Sequence, residues 1–469
     1  MTNARQTTQL MDYIIKLLRF FGFNRAIGYG VLARAWSFIS GPVTILIIAN
    51  RFSKEQQGFY YTIGSLLALQ VFFELGLVTV LAQFASHEFA HLTWGEKGRI
   101  EGDPVARERL LDLLCKATAW FGIAALLLTV VLIPAGLYFL GQQHWVVTDF
   151  SWRLPWILAV CGTAVNLLIV PFFAIVMGSG DVVTVNHREM MGAVISSLIA
   201  WTVIGLRGGL FAAFAITTGS IIVSCTYLIK EKPELLKLAW QGVFGHSSHT
   251  ARKATISWWG DVWPMQWKIA LSWVSGYFMF QLFNPVLFHY HGSVVAGQMG
   301  MTLSVSNALL AGCATWVNSR TPEFGKLIAY HEWEKLDSLF YRVLIQSVGV
   351  AVAGALVGWG IISYLQEYSQ IGKRFIPANY AGLLFGAVCV HSVTNALACY
   401  LRAHKKEPLM WLSIASAVLQ GTAAWLLGKK YASGGVTAGF FCINLFFTLP
   451  IAYFIWLRCR KVWHSNQFR

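Results

Sequence analysis

His87, Glu88 and His91 stand in the pattern H-E-x-x-H, the one literal catalytic signature in the chain. On a helix this spacing puts two imidazoles on one face to hold zinc, with a carboxylate beside the metal-bound water. A third ligand in recognisable context is missing, five-residue patterns arise readily by chance, and two histidines at a helix end also suit lipid headgroups. The other residues that invite chemistry are isolated. Arg34, Glu74 and Lys268 each interrupt a long uncharged, apolar run. Ionisable groups in such runs must be paired or face water, which makes each a functional candidate.

The elements that must position these residues follow from composition. The chain has 469 residues, of which 56% are hydrophobic and only 12% charged. Soluble domains carry about 25% charged residues, so an ordinary water-soluble globule is excluded. At roughly 20 apolar residues per crossing there is material for about a dozen membrane spans. The longest polar connectors run to about 35 residues and are interrupted by Trp, Leu and Phe, which leaves no stretch for a soluble catalytic domain. The net charge of +15 does not indicate nucleic acid, because the basic residues lie between apolar segments instead of clustering on a solvated domain.

Charge-free runs mark twelve spans, near residues 28–50, 59–85, 117–141, 154–177, 190–206, 208–229, 266–287, 293–317, 343–366, 376–400, 408–428 and 434–457. Residues 269–319 hold no Asp, Glu, Lys or Arg and divide into two spans at the turn from Asn284-Pro285 to Gly292. With a cytoplasmic N-terminus, 26 Lys and Arg fall on the cytoplasmic side and 8 outside, leaving Arg34 and Lys268 within spans. The positive-inside rule therefore places both termini in the cytoplasm. Residues 1–27 lack a signal peptide's pattern, and Leu10, Ile14, Leu17, Leu18 and Phe21 among Lys16, Arg19 and Arg25 predict a helix on the cytoplasmic surface. Of eight cysteines, none is placed for an external disulfide.

The connector 230–265 divides the chain into six-span halves, 28–229 and 266–458, with a tail at 459–469. Three features recur in order between the halves: Phe38-Ile39-Ser40-Gly41 with Trp273-Val274-Ser275-Gly276, Gly58 with Gly297, and Gly208-Gly209 with Gly434-Gly435. Their nearly constant separation predicts a duplicated bundle of two pseudo-symmetric six-helix lobes, all α-helical.

The six-plus-six layout, the segment from Phe52-Ser53-Lys54-Glu55 through Gln56-Gln57-Gly58-Phe59-Tyr60 and the Gly-Gly openings of spans 6 and 12 resemble the multidrug/oligosaccharidyl-lipid/polysaccharide (MOP) exporter superfamily. Within it the chain is most similar to the Wzx-type polysaccharide flippases. The resemblance implies two lobes around a cavity that opens alternately to either side of a bacterial inner membrane. It further implies passage of an undecaprenyl-pyrophosphate-linked glycan to the periplasmic leaflet for O-antigen or exopolysaccharide synthesis. It carries no catalytic step, and a polysaccharide polymerase and assembly proteins are the implied partners of a monomer.

Arg34 with Ser37, Gly41 and Thr44, and Lys268 with Ser272 and Ser275, form polar stripes on spans 1 and 7, each with a cation at its inner end. Together the two cations are expected to receive the lipid pyrophosphate; snorkelling to headgroups is the competing reading. Glu74, four residues from Gln70, suits either proton coupling or a static pair with Arg34. Asp261 is placed to partner Lys268 or Arg252 and joins Glu74 as a coupling and gating candidate. Gln298, Asn307, Asn318, His391 and Asn395 are candidate cavity residues, or else interhelical hydrogen-bonding groups within a lobe. Trp258, Trp259, Trp263 and Trp267 read as an interfacial aromatic belt, with glycan stacking as the rival.

No cofactor or metal is expected, with a proton or sodium gradient as the alternative driving forces. An ion-coupled multidrug exporter is the main rival. Such exporters commonly carry an acidic residue in the first span, where this chain has Arg34, and a cation there repels cationic drugs. A polysaccharide polymerase or ligase needs a large external segment, whereas 141–153 and 366–377 have about a dozen residues each. A scaffold would gain nothing from charges within spans.

Overall fold

The computed structural model describes residues 25–142, 150–244, 257–404 and 406–465. The surface helix expected over residues 1–27 lies outside the described residues as far as residue 24. Each of the twelve expected spans falls on helix among the described residues. Span 1 is α1 (Arg25–Arg51). Span 2 is broken into α2 (Lys54–Leu67), a 3-10 turn, α3 (Val71–Glu74) and α4 (Leu77–Glu88). Spans 3 to 6 are α5 (Pro104–Gly141), α6 (Arg153–Gly178), α7 (Val182–Gly205) and α8 (Phe211–Glu231), and α9 (Pro233–Phe244) lies in the connector. Span 7 begins with α10 (Trp263–Phe280), and α11 (Phe283–Ala329) follows after a two-residue break. Spans 9 and 10 are α12 (Trp333–Tyr368) and α13 (Ala378–Ala403). α14 (Met410–Ile443) and α15 (Leu449–Ser465) supply spans 11 and 12.

The turn expected at 284–292 is helical except at its end. Gly292, at φ +85°, reverses the chain, so the residues before it complete span 7 and those after it form span 8. Spans 11 and 12 are divided within α14 by Tyr431 and Ala432, the latter at φ +51°. Its counterpart before span 6 is the turn through Arg207 and Gly209, at φ +61° and +55°. Both Gly-Gly pairs thus sit at left-handed reversals that lead into spans 6 and 12.

A two-stranded hairpin, β1 (Leu92–Trp94) with β2 (Ile100–Gly102), departs from the all-helical expectation. It projects Trp94 onto the span 4–5 turn, where the indole donates to Ser179 Oγ at 2.8 Å, and Lys232 Nζ lies 3.7 Å from the Trp94 ring centroid. Burial pulls the Lys232 ammonium below its usual value. The hairpin thereby ties spans 2, 4 and 6 together on the face that bears most of the Lys and Arg, the basic face.

His87-Glu88 closes α4, and Phe89 is its C-cap, so the chain leaves the helix before His91. The H-E-x-x-H pattern therefore does not present two imidazoles on one helical face, and no cluster of three metal-binding side chains occurs among the described residues. Trp259, Trp263 and Trp267 face outward, as a belt requires, while Trp258 stacks on Trp120 at 5.8 Å. The eight cysteines are free.

On the basic face of the second half, α15 is fastened by polar and aromatic contacts. Asp337 accepts from Arg460 and from the Tyr400 hydroxyl at 3.0 Å; that hydroxyl also meets His464 Nε2 at 3.1 Å. Trp333 stacks on the His464 and His404 rings, 4.3 and 6.1 Å away, and the two imidazoles are themselves 6.4 Å apart. Burial pushes both imidazoles below the ordinary histidine value; Arg460 acts the same way on His464 and Lys406 on His404, with Asp337 opposing. The depressed folded-state pKa means that this contact is fully stabilising above the unfolded value of about 6.5 and weakens as pH falls through it. Hydrogen exchange in the last turns of α15 should accelerate between pH 7.5 and 5.5, after correction for intrinsic rates. Unchanged protection would show that these histidines do not carry the attachment.

Candidate functional site: a cavity between the halves

Between the halves lies a cavity of about 490 Å³, walled by spans 2, 4, 6, 7 and 8. Its lining is mixed and carries no ionisable group other than tyrosine: polar groups of Tyr60, Tyr61, Gln70, Asn166, Asn284 and Asn307 are set among apolar residues such as Leu67, Ile216 and Phe280. Breaks in two spans fall on its wall. Span 7 is interrupted at Gln281 and Leu282, beside the lining residues Phe280 and Asn284. Span 2 leaves its first helix at Leu67 to Gln70. Discontinuous helices of this kind free backbone groups at membrane depth, which is tolerated where the chain borders a cavity.

A second cavity, about 370 Å³, enters the first half between spans 1, 2, 5 and 6, and shares Tyr60 and Ile216 with the first. It contains Arg188 and Glu189. Arg188 donates to Ser224 Oγ at 2.8 Å and to Ser220 Oγ at 3.4 Å, and its guanidinium lies 4.3 Å from the Phe173 ring centroid. By sequence Arg188 falls in a connector, because it lies at the edge of a charge-free run. The helix begins at Val182, which carries the guanidinium inward along span 5.

Toward the face poor in Lys and Arg, the halves are joined by hydrogen bonds. Ser53 and Gln56 form the capping box that starts α2, which leaves the next residue, Gln57, free to reach across. Gln57 Nε2 donates to the carbonyls of Gly297 at 2.8 Å and Arg374 at 3.0 Å. Arg374 in turn donates to Gln57 Oε1 at 3.3 Å and to the Phe52 carbonyl at 2.6 Å. Burial pulls the Arg374 guanidinium below its usual value while Glu55 raises it. Beneath this seal, Asn284 donates to Ser65 at 3.0 Å.

Gly58 and Gly297, matched between the halves by sequence, touch each other here. A Cβ on Gly297 would lie 2.8 Å from Gly58 N, and a Cβ on Gly58 would collide with the Ser293 carbonyl. Toward the basic face the contacts are apolar. Gly76, at φ +64°, lets Ile269 and Trp273 of span 7 approach the break in span 2; a Cβ there would be 2.5 Å from Ile269 Cγ2.

No protein-family model matches the chain, and no curated protein matches it. Solved structures do. The lipid II flippase MurJ in an inward closed conformation aligns at TM-score 0.61 and 14% identity, over 92% of this chain and 87% of that one. An inward-facing multidrug resistance MATE family transporter of the MOP superfamily gives 0.56 and 15%, over 91% and 99%. A MOP superfamily transporter from Pyrococcus furiosus, described as having a binding pocket of reverse polarity, gives 0.51 and 13%, over 95% of each. The fold is that of the MOP superfamily.

Within this MOP fold the sequence-derived candidates separate. Gln70 and Asn307 line the central cavity. Gln298 instead donates to the Lys373 carbonyl at 2.9 Å and holds the loop that carries Arg374. Ser37 is exposed and donates to Ala33 of its own helix, as Ser275 does to Leu271. Ser272 is half-buried, and Lys268 is exposed with its ammonium 5.9 Å from the Trp267 ring centroid; neither lines either of these two cavities. His391 packs on Phe280 at 5.5 Å beside Asn444, inside the second half, and Asn395 on the same helix lines neither cavity. Asn318 accepts from Cys399. Glu74 is half-buried at the break formed by Leu75 and Gly76, and no ion pair holds it among the described residues. The side chains of Arg34 and Asp261 lie outside the described residues; their backbones belong to α1 and to the π-turn before α10.

Breaking the seal should change which side reaches the cavity. Each Arg374 bond is worth about 1.5–3 kcal/mol. Arg374→Ala should therefore raise labelling of a cysteine placed at Ser304, by an impermeant thiol reagent applied from the Lys- and Arg-poor face, at least tenfold over the same cysteine with Arg374 intact. Equal labelling would show that these bonds do not hold that side closed.

Proposed function

We propose that the protein is a flippase that carries a pyrophosphate-linked polyprenyl glycan across a bacterial inner membrane, with the basic face and both termini in the cytoplasm. The observation that carries this reading is the junction of two unlike cavities at Tyr60 and Ile216. One has a mixed, tyrosine-bearing lining free of formal charge; the other presents the Arg188 guanidinium beside Glu189. An uncharged chamber with hydroxyl, carboxamide and aromatic groups suits sugar hydroxyls and faces. A guanidinium suits phosphate oxygens through charge-assisted bonds.

In this mechanism the pyrophosphate meets Arg188, with Arg34 on the neighbouring span 1, while the glycan occupies the central chamber and the prenyl tail stays in lipid. The apolar contact of Gly76 with Ile269 and Trp273 parts to admit substrate, and the Gln57 and Arg374 bonds part to release it. Both conformations alternate without a covalent step, so no enzymatic activity is proposed. Glu74, at the span 2 break, is the acid placed to couple a proton to that movement. Lys268, outside both cavities, has the lesser role of attracting anionic headgroups at the basic face.

The rival reading, an ion-coupled multidrug exporter, has the same fold behind it. Export of organic cations favours a carboxylate in the chamber; the central one has none, and Glu189 in the adjoining cavity stands next to Arg188. Loss of a charge-assisted phosphate contact weakens binding by about 1.5–3 kcal/mol, roughly 10- to 150-fold. Arg188→Ala, at normal expression, should make lipid-linked glycan accumulate in the cytoplasmic leaflet, with partial rescue by Arg188→Lys and little effect of Lys268→Ala. Glycan export at the wild-type rate in Arg188→Ala, with lost resistance to cationic drugs, would decide for the multidrug exporter.

A further inference from the structure

A third cavity, about 440 Å³ and almost wholly apolar, lies on the outside of the second half between spans 7 and 11. Gly421 gives it depth, since a Cβ there would sit 3.4 Å from Phe278 and 3.6 Å from Leu282. On α14, Val418, Thr422, Trp425 and Leu426 line it and follow one helical face. Lys429 continues that face by one more turn. Trp425 meets the Tyr290 ring at 5.5 Å, and Lys429 Nζ is 5.5 Å from the centroid of the same ring, with Lys430 beside it on Tyr431. The groove therefore runs along the helix from apolar residues, through an aromatic pair, to two adjacent cations.

The dimensions suit one leaflet. Val418 to Lys429 spans eleven residues, about 16 Å along a helix. Half of a hydrocarbon core of about 30 Å is about 15 Å. Tryptophan and tyrosine settle at headgroup level, and lysines just beyond attract phosphate. Only eight Lys and Arg lie outside the spans on the Lys- and Arg-poor side, and two of them are adjacent here.

We propose that this groove is a binding site for one anionic phospholipid of that leaflet, with an acyl chain along α14 and its phosphate at Lys429 and Lys430. Phe278 and Leu282, which line the groove, flank the lining residues Phe280 and Gln281 of the central cavity across the break in span 7. A bound lipid thus braces from behind the segment that substrate touches from the front. This site stands independently of what the central cavity carries.

The test is retention of phosphatidylglycerol against phosphatidylcholine by the full-length protein, read by native mass spectrometry after graded delipidation. Wild type should keep one phosphatidylglycerol in preference to phosphatidylcholine. Each lysine near an anionic lipid contributes about fivefold, so K429Q/K430Q should weaken retention roughly 25-fold. T422W, which fills the groove and leaves both lysines, should also lose it, whereas R153Q, a cation elsewhere on that side, should not. Retention by K429Q/K430Q or T422W at the wild-type level, equal retention of the zwitterionic lipid, or equal loss in R153Q would each overturn the site.

Discussion

The close crossing of Gly58 and Gly297 is the constraint on which the architecture rests. Between apolar helices in lipid there is no hydrophobic force to hold a contact, because the surrounding acyl chains are as apolar as the side chains they would replace. Close approach and hydrogen bonding must supply it. Two glycines in register bring the spans 2 and 8 backbones close enough for a side-chain amide to reach a main-chain carbonyl, as Gln57 reaches Gly297. The same approach lets the loop after span 9 place Arg374 against Phe52 and Gln57. The pair is also the sequence repeat made physical, since equivalent positions in two halves can touch only near the pseudo-symmetry axis.

A seal of this kind must also be able to open. Its four hydrogen bonds, at about 1 kcal/mol for neutral ones and 1.5–3 for those to a charge, amount to several kcal/mol in favour of the closed arrangement. The other contact between the halves, at Gly76, is apolar and adjoins two left-handed residues, Leu75 and Gly76, where a broken helix bends by 44°. The side facing the basic surface is therefore the softer of the two.

The spans were legible in the sequence because the penalty for charge at mid-bilayer acts residue by residue along the chain, so a one-dimensional reading finds them. The two-lobe arrangement was legible from glycines, whose spacing survives where side-chain identities drift. Which helical face points inward was not legible. Ser37, Ser275 and Gln298 sit at plausible spacings, yet the first two bond their own helix and the third holds a loop. A hydroxyl in a helix satisfies itself on a preceding carbonyl at little cost, so its presence says little about a cavity. Arg188 is hidden from a linear reading for the opposite reason. Its charge ended an apolar run, although Ser220, Ser224 and the Phe173 ring shelter it well inside the bundle. The signal that marks it is on span 6, where two serines four residues apart face back toward span 5. The H-E-x-x-H pattern misled through its position, since Phe89 caps the helix between its two histidines.

The distribution of charge bears on direction of transport under the proposed mechanism. Exchange of chamber water for sugar hydroxyls is nearly neutral, because each hydrogen bond lost to water is replaced by one of similar strength. Such a chamber discriminates weakly and releases easily. The strong grip is confined to the phosphate, and the guanidinium that supplies it is near the basic end of span 5. A pyrophosphate leaving for the opposite leaflet must abandon that contact, so binding there works against release unless something replaces it. An acid that changes protonation during the cycle does so. In the proposed mechanism that acid is Glu74, which lines neither cavity and so acts through the hinge of the span that walls the chamber and carries the seal, its deprotonation favouring one arrangement of that hinge and its reprotonation the other.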